Sequence, residues 1–554
     1  MKFSNKILSQ TLVQLCLDKG IDHIIISPGS RNAPLTIGFG EHPSFKCFSI
    51  VDERCAAFFA LGIAQQLQKP VAVICTSGSA LLNYYPAVAE AYYSDIPLVV
   101  IAADRPLDRI DIGDGQTIRQ QNVFENHILY SANCFEGDEF QIKNETEINI
   151  ALNTALELKG PVHINIPFSE PLYHTVENQL VWPQNVPPHI GVKTLMEDLN
   201  PFIEKWNRSN RKMVLVGVLP PNSLEQRFLE QLAKDESVLV LTETTSNLHT
   251  ENFISSIDQL IAPLSDEDFS KLQPEILLTF GGMVVSKKIK AFLRSYSPKE
   301  HWHVDSKKAY DTFFVLKHHF KTSINSFFAE FLPKTLPLKT DYRNQWLAIK
   351  NHRLQRHNIY ESEIPYSDFM VFSEIFKWLP KNIQLQLSNS ATIRYAQLFD
   401  IDTSAEVFCN RGTSGIDGST STAVGAGYAS KLPTVFITGD LSFFYDSNAL
   451  WNNYIPKNFK IIVVNNGGGG IFRILPGEKD THLFDTYFET KHGLSAKKLS
   501  EMYGFEYESI HSKEDLRITL ENFFSISEKP ALLEIFTPST VNDKVLLDYF
   551  KFIL

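Results

Sequence analysis

The chain has 554 residues, too many for one ordinary hydrophobic core, so two to four domains are expected. Hydrophobic residues make up 44% and charged residues 21%, the balance of a globular protein with ample core. A formal net charge of −11 and the absence of a long basic run exclude nucleic acid and an anionic membrane as expected partners. Six cysteines (Cys16, Cys47, Cys55, Cys75, Cys134 and Cys409) lack Cys-x-x-Cys spacing, which argues against zinc and against a disulfide framework. The N-terminal stretch carries polar residues throughout, unlike a signal peptide, and no apolar run reaches the ~18 residues of a membrane span. The expected location is the cytoplasm.

In chain order, Ser4 is placed to cap a helix whose apolar positions Ile7, Leu8, Leu12, Leu15 and Cys16 share a face, with Gly20 to end it. HIIIS (23–27), KPVAVICT (69–76), IPLVVIAA (96–103) and GPVHINIP (160–167) read as buried strands separated by helical patterns, the rhythm of a doubly wound parallel sheet. Residues 174–195 carry three prolines and no periodicity, which suits a linker. A second α/β unit follows with MVLVGV (213–218), SVLVLT (237–242), EILLTF (275–280) and HWHVD (301–305). The pattern breaks again over 332–346. A third unit holds NIQLQLS (382–388), AEVFCN (405–410), PTVFITGD (433–440), FKIIVVNN (459–466) and ALLEIF (531–536). The predicted architecture is three doubly wound α/β domains, over 1–180, 195–335 and 355–554.

Ligands of open parallel sheets bind beyond the carboxyl ends of the strands, where several unusual loops fall. SPGSRNAP (27–34) offers Gly29, Ser30 and Arg31, or is simply a Pro-Gly turn with a surface arginine. Asp52-Glu53-Arg54 lies between an apolar strand-like run and an apolar helix-like run, with Cys55, Ala56, Phe58 and Phe59 crowding Glu53. Glu53 is then either a helix first-turn charge or a chemical group. Thr76-Ser77-Gly78-Ser79 opens a helix, and helix capping is the simplest reading of it. The Asp- and Gly-rich loop 103–120 carries Arg105, Arg109 and Arg119, and is either a functional loop or a solvated charge cluster.

In the third unit, Gly439-Asp440 ends one strand and Asn465-Asn466 ends the next. A carboxylate and an amide oxygen at adjacent strand ends make half of an octahedral site for a hard cation such as Mg²⁺, which leaves room for phosphate oxygens. The glycine run after Asn466 would let backbone approach a diphosphate.

Gly-Asp followed by Asn-Asn resembles the cofactor motif of thiamine-diphosphate enzymes. SPGSRNAPLT, DERCAAFFALG, TSGSALLNYYPAVAEA, DRPLD, NRGTSGIDGSTSTAVG and VVNNGGGGIFRILP together resemble one family over residues 27–476, the 2-succinyl-5-enolpyruvyl-6-hydroxy-3-cyclohexene-1-carboxylate synthases of menaquinone biosynthesis. The resemblance implies a transferase that decarboxylates 2-oxoglutarate and adds the succinyl unit to isochorismate. It implies thiamine diphosphate with Mg²⁺ (Mn²⁺ as an alternative), and a homodimer or homotetramer with active sites at the subunit interface. Glu53 takes the place that faces the aminopyrimidine ring; Asp440, Asn466 and the Gly468 carbonyl take the metal positions; Ile416 matches the apolar wedge under the cofactor. Thr76, Gly78, Ser414, Gly439, Leu441, Ser442 and Gly469 fall on the remaining cofactor positions. Ser30, Arg31, Arg105, Gln116, Ser390, Arg394 and Arg411 match active-site positions, and Ile471, Phe472 and Leu475 an apolar wall, of which Ile471 and Phe472 also meet the cofactor. Lys287 and Lys288 resemble a basic pair on the isochorismate side, although a solvated helix face explains them nearly as well. Gly467 and Gly115 depart from the family pattern, each losing a side chain. The nearest rival is another thiamine-diphosphate carboligase or 2-oxoacid decarboxylase, such as an acetohydroxyacid synthase. A cofactor-bound but inactive scaffold conflicts with retention of the glutamate, metal ligands and arginines together, and a Rossmann dehydrogenase with the lack of Gly-x-Gly-x-x-Gly after the first strand.

Overall fold

The computed structural model describes residues 2–189, 191, 197–474, 477, 479, 481–525 and 528–554. Its strands are β1 (Phe3–Ser4), β2 (His23–Ile26), β3 (Lys46–Ser49), β4 (Val71–Cys75), β5 (Leu98–Asp104), β6 (Tyr130–Asn133), β7 (Val162–Pro167) and β8 (Thr175–Val176) in the first domain. The middle domain has β9 (Lys212–Val216), β10 (Val238–Leu241), β11 (Ile276–Phe280), β12 (Glu300–Val304) and β13 (Leu316–Phe320). The last has β14 (Gln384–Leu387), β15 (Glu406–Cys409), β16 (Thr434–Gly439), β17 (Phe459–Asn465), β18 (Glu506–Ile510) and β19 (Ala531–Phe536).

Three parallel sheets result, ordered β3-β2-β4-β5-β7-β6, β10-β9-β11-β12-β13 and β15-β14-β16-β17-β19-β18. The first and last follow the same path, so the shared strand–helix rhythm of the two units extends to their topology. Their central strands are buried on both faces, which is why they read as unbroken apolar runs. Among the strands the sequence pattern did not reveal, β1 and β8 are two-residue strands that pair with each other, and β6 (YSAN), β13 (LKHHF) and β18 (EYESI) lie at sheet edges, where one side meets solvent and polar residues are tolerated.

Local expectations are corrected in two places. Ser4 does not cap the first helix, Ile7–Asp18; it is buried in β1, which pairs antiparallel with β8, and Lys6 holds the cap position. The break over 332–346 ends in a 22-residue helix, Tyr342–Glu363. Its buried stripe is narrow, with Tyr342 and Trp346 in the middle-domain core, so a largely polar sequence concealed it.

First and last domains meet through helix Glu53–Leu67 and helix Ser419–Ala429. Glycines permit the close approach: a Cβ on Gly62 would sit 2.1 Å from the Thr422 carbonyl oxygen, and one on Gly425 2.1 Å from that of Phe59. One core then runs from Phe48 and Phe59 through Ala423 and Val424 to Phe436 and Phe459. Arg54 crosses the same junction, donating to the Asp417 carbonyl and, at 2.8 Å, to the buried Asp446.

In the middle domain, burial pushes His301 and His303 of β12 down to about 4 each, helped by the His303 charge on His301 and by the His319 charge on His303. Both are neutral in the folded state at pH 5 but protonated in the unfolded chain. Lowering the pH from about 6.5 to 4 therefore favours unfolding, by at most about 1.4 kcal/mol per pH unit for each ring. Replacing both by glutamine should flatten that part of the stability–pH curve relative to wild type, measured by urea unfolding at several pH values. Parallel curves would contradict it.

Candidate active site

The first half of the site sits at the carboxyl edge of the first sheet, where three loops interlock. Gly29 lies so close to Thr76 that a Cβ would fall 2.3 Å from the threonine Cβ. The Arg31 amide donates to Thr76 Oγ1, Ser77 Oγ donates to the Gln116 carbonyl at 2.9 Å, and the Gly78 amide donates to Gln120 Oε1 at 2.9 Å. The Ser-Gly-Ser turn is therefore no helix cap: helix Ser79–Leu82 has no side-chain cap, and the Ser77 hydroxyl serves the neighbouring loop. Ser30 and Gln116 are exposed at this edge. Arg31 is buried, with Nη1 on the Phe168 carbonyl at 2.7 Å and Nη2 3.0 Å from Glu170.

Glu53 begins helix Glu53–Leu67, but the cap is Asp52, whose side chain accepts from the Cys55 amide and from Asn448 Nδ2. The Glu53 carboxylate is half-buried and has no hydrogen-bonding side chain against it among the described residues. Burial raises its pKa, and the Asp52 charge adds to this. Its charge is felt by buried Cys75 and Tyr84, whose pKa values burial already raises. Phe58 lies under Gly418, and Phe59 packs with Phe48, Tyr428 and Tyr454.

The second half lies in the last domain. Asp440 is buried at the end of β16; Oδ2 accepts from the Gly467 and Gly468 amides at 2.9 and 3.0 Å, and Oδ1 from the Leu441 amide at 2.7 Å. His492 Nε2 stands 3.3 Å from Oδ2, and the Asp440 contact raises its pKa. Asn466 donates through Nδ2 to Asp368, leaving Oδ1 free of any described donor. The Asp440 carboxylate, the Asn466 amide oxygen and the Gly468 carbonyl are thus hard donors on adjoining loops that could share a cation with a diphosphate. Among the described residues no cluster of three or more His, Cys, Asp or Glu side chains is arranged for a metal, so an ion here would depend on phosphate oxygens. The glycine run has a packing role as well as an open one: a Cβ on Gly468 would sit 2.6 Å from the Glu489 carbonyl oxygen, whereas Gly439 has open space around it.

Ser442 Oγ donates to the Ile416 carbonyl, fixing the Ser414–Ile416 loop beside Asp440. The same loop is gripped from two sides. Asn389 donates to the Asn410 and Gly415 carbonyls and accepts from Arg411 Nη1 at 2.6 Å, while Glu90 of the first domain accepts from the Gly412 and Thr413 amides. Arg394 and Arg411 face one another; burial first, and then the Arg411 charge, lowers the Arg394 pKa. Ser390, next to Asn389, has φ +69°. Asp258 lies within the fields of both Lys288 and Arg394, which draws Lys288 toward this group, although Lys287 and Lys288 are exposed at the start of helix Lys287–Ser295. Ile471 and Phe472 form part of a short helix, Ile471–Ile474, with Phe472 partly exposed beside Phe488. Leu475 lies outside the described residues.

Two features relate these groups. Arg31, Arg105, Arg394 and Arg411 each keep a buried Nε without a hydrogen-bond partner, four unspent donors on the arginines the sequence singled out. Within one chain, no hydrogen bond or ion pair among the described residues joins Glu53, Ser30, Arg31 or Gln116 to Asp440, Asn466 or Gly468. A cavity of about 330 Å³ opens between the domains and reaches Arg411 and Lys290, but neither Glu53 nor Asp440 lines it. Sequence reasoning missed Glu90, Asn389 and Lys290. Glu90, a carboxylate amid small apolar residues in AVAEA, carried the one readable signal.

This fold and these loops define a thiamine pyrophosphate enzyme. Residues 7–131 match the N-terminal TPP binding domain of such enzymes, 178–387 the middle domain and 390–535 the C-terminal TPP binding domain. Proteins named 2-succinyl-5-enolpyruvyl-6-hydroxy-3-cyclohexene-1-carboxylate synthase are similar over full length. That of Christiangramia forsetii is 60% identical over 100% of both chains, and that of Flavobacterium johnsoniae 58% identical over 98% of each. The Porphyromonas gingivalis protein is 37% identical over 100% of this chain and 98% of its own. The chain belongs to the 2-succinyl-5-enolpyruvyl-6-hydroxy-3-cyclohexene-1-carboxylate synthase family.

Proposed function

We propose that the chain decarboxylates 2-oxoglutarate and adds the succinyl unit to isochorismate, yielding 2-succinyl-5-enolpyruvyl-6-hydroxy-3-cyclohexene-1-carboxylate and CO₂ for menaquinone biosynthesis. The observation that carries this is the set of four arginines with unspent buried donors, suited to two substrates that bring four carboxylates between them. When bound, thiamine diphosphate supplies the nucleophilic carbon and the electron sink for loss of CO₂.

In this reading Glu53 would hold the aminopyrimidine ring of the cofactor and would give or take a proton at its far nitrogen. Asp440, Asn466 and the Gly468 carbonyl would hold Mg²⁺, or Mn²⁺, which would neutralise diphosphate charge. Thr76 and Gly78 on one side, and Ser414, Gly439, Leu441, Ser442 and Gly469 on the other, frame the cofactor, with Ile416 as the wedge. Arg394, Arg411 and Ser390 clamp one acid. Ser30, Arg31, Arg105 and Gln116, with Lys288 and Lys287 beyond, clamp the other, while Ile471, Phe472 and Leu475 keep water away. Orientation and water exclusion are the protein's main contributions.

That no described hydrogen bond or ion pair joins the two half-sites within one chain fits a homodimer, or a tetramer built from it, in which each site takes one half from each subunit. Large apolar side chains exposed near both halves, Leu107 and Ile112 on one and Tyr445, Trp451 and Tyr487 on the other, fit such an interface. The domains are assigned to 1–180, 195–335 and 355–554. A cytoplasmic location agrees with six unpaired cysteines, and no helix among the described residues is long and apolar enough to cross a membrane.

The test is direct. Purified protein with thiamine diphosphate, Mg²⁺, 2-oxoglutarate and isochorismate should form the succinylated product, identified by mass. Consumption of pyruvate but not of 2-oxoglutarate would overturn the assignment. Arg394→Ala or Arg411→Ala should lower kcat/KM for the acid substrates by about 2–5 kcal/mol, roughly 30- to 5,000-fold, with cofactor affinity near wild type. Steady-state kinetics unchanged for both substrates in both variants would count against the clamp.

A further inference from the structure

Asp368 lies outside every motif discussed above. It is the first residue of helix Asp368–Trp378, which Ser367 caps, and it is 3% exposed. The chain folds so that this helix start lies beside the ends of β17 and β19. One carboxylate oxygen accepts from Asn466 Nδ2 at 2.9 Å, the other from Thr537 Oγ1 at 2.5 Å, and the Asp368 amide donates to Asn542 Oδ1 at 2.8 Å. No cation pairs with this carboxylate among the described residues, so hydrogen-bond donors hold it.

A side-chain amide has one end that accepts and one that donates, whereas an ionised carboxylate only accepts. Set against Asp368, the Asn466 amide has a single favourable orientation. Turned round, it would press Oδ1 against a carboxylate oxygen with no proton between them. Nδ2 therefore points to Asp368 and Oδ1 is left as the free end. Gly470 takes part in this arrangement, since a Cβ there would come within 2.9 Å of Asn466 Nδ2.

We propose that Asp368 is a positioning residue for metal binding, orienting the Asn466 amide so that oxygen rather than nitrogen is offered to the cation. This rests on the reading of Asn466 as a metal ligand. Only oxygen serves a hard cation, so an amide free to rotate presents a competent ligand only part of the time. Outer partners of metal ligands commonly act in this way.

The experiment is a calorimetric titration of Mg²⁺ into the full-length protein with thiamine diphosphate at fixed concentration, for wild type, Asp368→Ala, Asn466→Ala and the double variant. Asp368→Ala should weaken Mg²⁺ binding by roughly 10–100-fold. Because Asp368 acts through Asn466, the double variant should bind Mg²⁺ no more weakly than Asn466→Ala alone. A role confined to packing would instead multiply the two losses, and that result overturns the proposal, as does wild-type affinity in Asp368→Ala. If the alanine variant does not fold, Asp368→Ser carries the same cycle, since serine suits a helix start but cannot reach Asn466. Wild-type Mg²⁺ affinity in Asn466→Ala is a different failure: it removes the metal-site reading itself.

Discussion

Glu53→Gln should bind thiamine diphosphate and Mg²⁺ as wild type does and yet lose about 10²–10⁴-fold in turnover, the scale of general acid–base catalysis. Asp52 already caps the helix, so capping does not require Glu53. A first-turn charge would stabilise the helix by only ~0.3–1 kcal/mol, which does not account for a half-buried carboxylate with no hydrogen-bonding side chain against it among the described residues. Burial raises its pKa and makes it a better proton donor near neutral pH than a solvated glutamate. Glutamine keeps the shape and one acceptor but cannot pass the proton. Hydrogen–deuterium exchange at the thiazolium carbon of bound cofactor should slow in parallel with turnover. Wild-type exchange in the variant would make Glu53 a structural residue.

Asp440→Ala should abolish the magnesium-dependent part of cofactor binding, a loss larger than the roughly 10–100-fold that follows removal of an outer partner. Asp440 holds the Gly467 and Gly468 amides as well as offering a ligand oxygen, so alanine removes a donor to the ion and slackens the loop that carries the other two. With the ion chelated away, wild type and variant should bind thiamine diphosphate equally weakly. That separates loss of the ion from loss of the fold. Calorimetry with and without chelator measures both, and unchanged affinity in the presence of Mg²⁺ would remove Asp440 from the site.

Much of the architecture could be read from the sequence because buried parallel strands carry their own signal. VAVIC, LVVIAAD and FKIIVVN are buried along their length and are apolar for that reason. The loops that follow them are legible for a related reason: Gly29 and Gly439, Arg31 and Arg411 are residue types that neither strand nor helix demands at those points. Edge strands such as EYESI and the polar helix Tyr342–Glu363 were hidden, since partial exposure leaves no apolar periodicity to find.

What the sequence by itself determined was the family, the three α/β domains and which residues stand at the strand ends. What only tertiary structure decided was which partner each side chain meets. Asp52 and Glu53 are neighbours of like charge in the chain, but one turns to the Cys55 amide and Asn448 and the other toward Cys75 and Tyr84. Asp368 and Asn466 are far apart in sequence and 2.9 Å apart in space. A propensity or a period is a local property of the chain, whereas a hydrogen-bond partner is set by how sheets and helices stack, and no local pattern encodes that.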